Sequence, residues 1–169
     1  MRRIQYGFTY LAILFAIAII SITLTGTISL WSIERQRDKE QELLFVGDQF
    51  RQAIARYHEN SPGAVKQYPA SLADLLSDNR FSTIQRHLRR IYLDPISGTD
   101  KWGLVMTPSG GIMGVYSPSN ANPIKRAEFA GRDQQFVGKT RYSEWKFVYE
   151  KGFVKNTPAI FLKVQHEPQ

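Results

Sequence analysis

Phe8–Trp31 reads FTYLAILFAIAIISITLTGTISLW, and the reading of this stretch decides the architecture. Its 24 residues include no Asp, Glu, Lys, Arg or His. As a helix rising about 1.5 Å per residue it is about 36 Å long, enough to cross a hydrocarbon core of about 30 Å with some tilt. It exceeds the roughly 7–15 apolar residues of a signal-peptide core, and no small-residue cleavage site follows it. The stretch Thr23-Leu24-Thr25-Gly26-Thr27 is poor in helix formers, although threonine hydroxyls can bond back to helix carbonyls inside lipid. It reads as a tolerated part of a membrane helix, or as a point where that helix can stretch.

Outward from this segment the composition changes abruptly. Of 169 residues, 43% are hydrophobic and 22% charged, ordinary values for a folded chain. All 15 acidic residues and 20 of the 22 basic ones follow Trp31, while only Arg2 and Arg3 precede Phe8. The expectation is a membrane-anchored protein with a polar body. Its modest basic excess suits a solvated surface better than a nucleic-acid footprint. No cysteine occurs, which excludes disulfide scaffolds, Cys-ligated zinc, iron–sulfur clusters and thiol catalysis. Arg35, Arg37 and Lys39 offset the orienting effect of Arg2 and Arg3. The N-terminal stretch 1–7, too short for a domain, therefore decides for a cytoplasmic N-terminus and an external C-terminal body.

Ser32–Glu59 contains no proline and continues the helical pattern with a new face. Leu43, Val46, Phe50, Ile54 and Tyr57 recur every three or four residues, forming one apolar stripe. The mixed-sign run Glu34, Arg35, Arg37, Asp38, Lys39, Glu40 and Glu42 predicts that the helix enters water before the stripe meets a core. Gly47 inside the stripe predicts close approach of a packed neighbour. Asn60-Ser61-Pro62-Gly63 ends the helix, so that Phe8 to Glu59 forms one rod of about 80 Å.

Pro69-Ala70-Ser71 opens a second, short helix with Asp74 completing a capping box and Leu72, Leu75 and Leu76 on its buried side. Ile84, Leu88 and Ile91 predict a further helical turn or two before Asp94-Pro95, with Arg80, Arg86, Arg89 and Arg90 as a basic contact surface. From Trp102 the period becomes strand-like. Trp102–Met106 and Ile112–Tyr116 flank Thr107-Pro108-Ser109-Gly110-Gly111 as a hairpin. Residues 117–140 are loop-rich, Trp145–Tyr149 alternates as a half-buried strand, and Ile160–Val164 is a strand or docked tail. The fold class is α+β: a long N-terminal helix with a small antiparallel sheet wrapped on its outer half, Trp102 and Trp145 being available to cover the stripe. The segments are 1–7, 8–31, 32–60 and 61–169.

Arg2, Arg3, Gly7, Phe8 and Thr9, followed at once by an uncharged span and an amphipathic helix, resemble the type III signal of type IV pilins and type II secretion pseudopilins. Leu43-Leu44, Gly47, Arg51-Gln52-Ala53-Ile54, Tyr68-Pro69-Ala70-Ser71-Leu72, Asp94-Pro95 and Trp102-Gly103 resemble the pattern of major-pseudopilin-related proteins over the first two-thirds of the chain. The resemblance implies a pilin-like fold in the bacterial inner membrane and a leader 1–7. It also implies cleavage by a prepilin peptidase between Gly7 and Phe8, and methylation of the Phe8 amine. The implied partners are other pseudopilins and the inner-membrane secretion platform. Two departures matter. The family's glutamate at the fifth mature residue is replaced by Ala12, and no carboxylate occurs before Glu34. Residues 117–140 hold only Glu128 and Asp133, few for the roughly 6–8 oxygens of a calcium site.

His58, His87 and His166 lack ligand or catalytic spacing, Gly110-Gly111 reads as a hairpin turn, and Asp94–Asp100 reads as a structural turn. The expectation is a non-enzymatic structural subunit without cofactor or metal, minor or tip-proximal in a short periplasmic filament of type II protein secretion. Alternative readings are a minor pilin of a type IV pilus, a DNA-uptake pilin-like receptor, or an uncleaved membrane-anchored binding module.

Overall fold

The computed structural model describes residues 6–150, with side chains over 9–19 and 31–150. The expected strand Ile160–Val164 and the start of the leader lie outside the described residues. One helix, α1 (Tyr6–Glu59), carries both the apolar and the amphipathic segment without a break. No proline falls inside it, so every interior N–H can donate along the helix. α1 passes through two compact units, the first ending at Asp38 and the second beginning at Lys39.

In the second unit, Leu43, Val46, Phe50, Ala53, Ile54 and Tyr57 are buried along one side of α1, as the spacing predicts. Phe50 meets Trp102 at 5.1 Å and Tyr92 at 6.3 Å between ring centroids. A Cβ on Gly47 would collide with the Phe147 ring, so the glycine is what lets that ring lie on the helix. Phe147, rather than Trp145, makes this close approach. Trp145 stacks on Phe136 at 5.5 Å, and Phe136 meets Phe147 edge-on at 5.1 Å. Burying each such ring removes enough apolar surface to contribute about 2–3 kcal/mol before entropy is counted.

The sheet has three antiparallel strands in the order β1 (Gly103–Met106), β2 (Ile112–Tyr116) and β3 (Phe147–Val148). β1 and β2 form the expected hairpin, with Leu104 opposite Val115 and a bulge between Val105 and Met106. Its turn closes through the Gly111 N–H donating to Thr107 Oγ1 at 3.0 Å, and Gly110 takes φ +87°, where glycine has no Cβ penalty. The architecture is a long helix with a small antiparallel sheet, an α+β fold.

Two expectations are corrected. The second helix is a single 3₁₀ turn, Leu72–Leu75, although the Asp74 carboxylate reaches back to the Ser71 N–H at 2.9 Å as a capping box should. Residues 84–91 form no helix. Asp78 and Gln85 exchange backbone hydrogen bonds, and the N–H groups of His87 and Leu88 both donate to the Leu75 carbonyl. Those donors are committed to distant partners, and Ile84 is left 64% exposed. The region 117–140 is loop-rich as expected, with one 3₁₀ helix at Gly131–Phe136, and it also adds to the core, where Phe129 and Phe136 are buried against Trp145.

Candidate functional site

Two places carry the residues the sequence singles out. The first is the start of α1. Gly7 and Phe8 belong to its helical backbone, and their side chains lie outside the described residues. Ala12 is exposed. So are Tyr10, Leu11, Ile13, Leu14, Phe15, Ile17 and Ile19, with Tyr10 at 65%. Consecutive positions on a helix point in different directions, so residues 9–19 show an apolar surface all round. Among the described residues no helix is long and apolar enough to cross a membrane. The described side chains of this segment stop at Ile19 and resume at Trp31.

The second place is where the loop 78–90 meets the C-terminal turn of α1. The Arg80 guanidinium donates to Asp78 from Nε at 2.8 Å and from Nη2 at 2.7 Å. It also donates to Ser61 Oγ and to the Tyr57 carbonyl, both at 2.8 Å, and lies 3.5 Å from the Tyr57 ring centroid. A helix leaves its last carbonyls unsatisfied, and a cation there complements the dipole. Lys66 does the same for the Glu59 carbonyl at 2.8 Å. Arg80 thus caps α1 and does not join an open basic face.

Asp78 is 1% exposed and also meets His87 Nε2 at 3.0 Å. The hydrogen bond from Arg80 holds the Asp78 carboxyl far below the usual carboxylate range, outweighing the opposite effect of burial. In return Asp78 raises Arg80. Burial raises the Tyr57 hydroxyl, partly offset by Arg80. Burial, then the hydrogen bond to Glu59, pushes Tyr149 up to about 12. Asp94 serves a turn: its carboxylate accepts from the Ile96 and Ser97 N–H groups and from the Ser117 hydroxyl. Among the described residues no group of His, Asp and Glu side chains is arranged to hold a metal.

The remaining arginines face outward. Arg90 lies 5.1 Å from the Tyr92 ring centroid. Arg86 and Arg89 are exposed and share an open depression of about 580 Å³ with Arg56, His87 and Leu88. Sequence reasoning missed Arg56, which donates to the His87 carbonyl at 2.7 Å. Glu40, expected in the solvated run, is instead 2% exposed, and its carboxylate accepts from the Ile124 and Lys125 N–H groups and from the Tyr142 hydroxyl. A signal for Glu40 was present: it stands three residues before Leu43, in phase with the stripe. No family model, no curated protein and no solved structure matches this chain.

Proposed function

We propose that the chain is a pseudopilin, a non-enzymatic subunit of a short periplasmic filament in type II protein secretion, anchored once in the bacterial inner membrane. The observation that carries the reading is the division within α1. One unbroken helix begins with an exposed apolar surface all round and continues with a one-sided stripe buried under a small α+β body. A helix apolar on every face needs an apolar surrounding, which lipid or a bundle of like helices supplies. The residues Arg2, Arg3, Gly7, Phe8 and Thr9 add the resemblance to a prepilin leader, with prepilin peptidase as the first partner.

Ala12 makes the subunit a minor or tip-proximal one. The terminal amine at Phe8 would need a carboxylate inside the filament, and Glu34 is 26 residues further on, about 39 Å along a helix. A buried unpaired charge is costly, so the amine pairs with a glutamate of a different pseudopilin. Intact mass of protein extracted from membranes is expected to show loss of Met1–Gly7 and gain of one methyl group. Gly7→Leu is expected to leave the chain uncut. A wild-type mass that retains Met1–Gly7 rejects the reading. So do long fibres assembled from this chain alone, for the minor-subunit part.

A further inference from the structure

Arg56, Arg86 and Arg89 line one depression of about 580 Å³. Among the described residues none of them is paired with a carboxylate, whereas Arg51, Arg80 and Arg132 each are. Gathering like charges without counterions costs stability. Arg56 is partly compensated by the His87 carbonyl and by its place in the last turn of α1, whereas Arg86 and Arg89 have no carboxylate partner among the described residues.

The depression is also held in shape. Its wall is fixed by the paired Asp78 and Gln85 backbones and by the His87 and Leu88 N–H groups on the Leu75 carbonyl. The His87 ring bonds to Asp78, and Arg56 reaches across from α1 to the His87 carbonyl. The backbone that carries the arginines is therefore preformed, which leaves the ordering of the Arg86 and Arg89 side chains as the conformational cost of binding.

We propose that this depression binds a phosphate group of a compact phosphorylated ligand. Three forked donors suit a tetrahedral group with three or more acceptor oxygens and about two negative charges, whereas a single carboxylate satisfies one fork. Nucleic acid fits less well. The nearby rings are already engaged by the chain's own cations, Tyr57 and Phe81 by Arg80 and Tyr92 by Arg90, and base stacking needs a ring face. The inference is independent of the filament reading.

The test is calorimetric titration of the full chain, in a neutral detergent, with pyrophosphate and with inorganic phosphate at low ionic strength. Saturable one-site binding is expected. Arg86→Gln with Arg89→Gln is expected to weaken it about a hundredfold, roughly tenfold for each guanidinium lost. Arg126→Gln, outside the depression, is expected to leave it unchanged. Phosphatidylcholine vesicles doped with phosphatidic acid distinguish the source: capture that depends on Arg86 and Arg89 assigns a lipid headgroup, and its absence beside pyrophosphate binding assigns a soluble ligand. Absence of binding to any of these phosphate probes overturns the proposal, as does equal loss in Arg126→Gln. Tighter binding of a short oligodeoxythymidylate, or of an oligoglutamate peptide, than of pyrophosphate also overturns it. Arg56→Gln would remove a wall contact as well as a charge, so the decisive substitutions are those of the exposed pair Arg86 and Arg89.

Discussion

The two halves of α1 differ both in how much apolar side chain they carry and in how they place it. Between Thr9 and Ile19, Tyr10, Phe15 and the leucines and isoleucines stand exposed on every side. Between Leu43 and Tyr57 the stripe Leu43, Val46, Phe50, Ile54 and Tyr57 is buried on one face, and of the large apolar residues Phe45 stands exposed off it. Placement as well as content separates them: a stripe can be covered by one layer of protein, while an all-round surface needs an environment. Substitutions in the two halves should therefore divide between folding and anchoring.

The largest expected effect is Phe50→Ala. Losing a buried ring that meets both Trp102 and Tyr92 should cost about 3–5 kcal/mol in urea unfolding followed by tryptophan fluorescence. A loss under about 1 kcal/mol would mean that the stripe does not organise the core. Asp78→Asn comes next, at about 3 kcal/mol near neutral pH, because it strands the Arg80 charge beside the end of α1. This effect carries a pH signature. The Asp78 carboxyl titrates lower in the folded chain than in the unfolded one. Its contribution is therefore complete above the unfolded value of about 3.9 and fades as pH falls below that toward the folded value. Unfolding midpoints measured from pH 7 down to pH 2 should show a shallower acid decline in Asp78→Asn than in the parent.

Gly47→Ala should follow at about 1–3 kcal/mol, since the new methyl group overlaps the Phe147 ring and forces helix and sheet apart. Smallest is Phe15→Ala. Its ring is exposed in the first unit, so unfolding of the second unit should change by less than about 0.5 kcal/mol. Retention in detergent-free membranes is the property it should weaken. A large stability loss from Phe15→Ala would erase the contrast between the halves.

Much of this contrast is legible in the sequence, because helical and strand periods are local signals. The stripe, Gly47, the hairpin at 107–111 and the capping residues Ser71 and Asp74 can all be read from a few neighbours. Residues 84–91 mislead for the same reason. Ile84, Leu88 and Ile91 have helical spacing, but the backbone groups between them are committed to Leu75 and Asp78, and long-range pairing outweighs a three-residue pattern. Glu40 bonds to Tyr142 across 102 positions, a partnership no local window contains. The arginine depression is hidden likewise, since Arg56 comes from α1 and the others from a loop some 30 residues later. The run of arginines suggests a surface, and only the fold sorts Arg80 into a helix cap and leaves Arg86 and Arg89 outward.

The closure of Phe147 over Gly47 sets a timetable for the growing chain. The stripe is made early, yet the ring that lies on it comes 100 residues later. At about 5–20 residues per second of synthesis, the greasy face of α1 waits about 5–20 s for its cover. During that interval it is available to a chaperone, a membrane surface or another nascent copy. The element synthesised first is thus among the last to be finished.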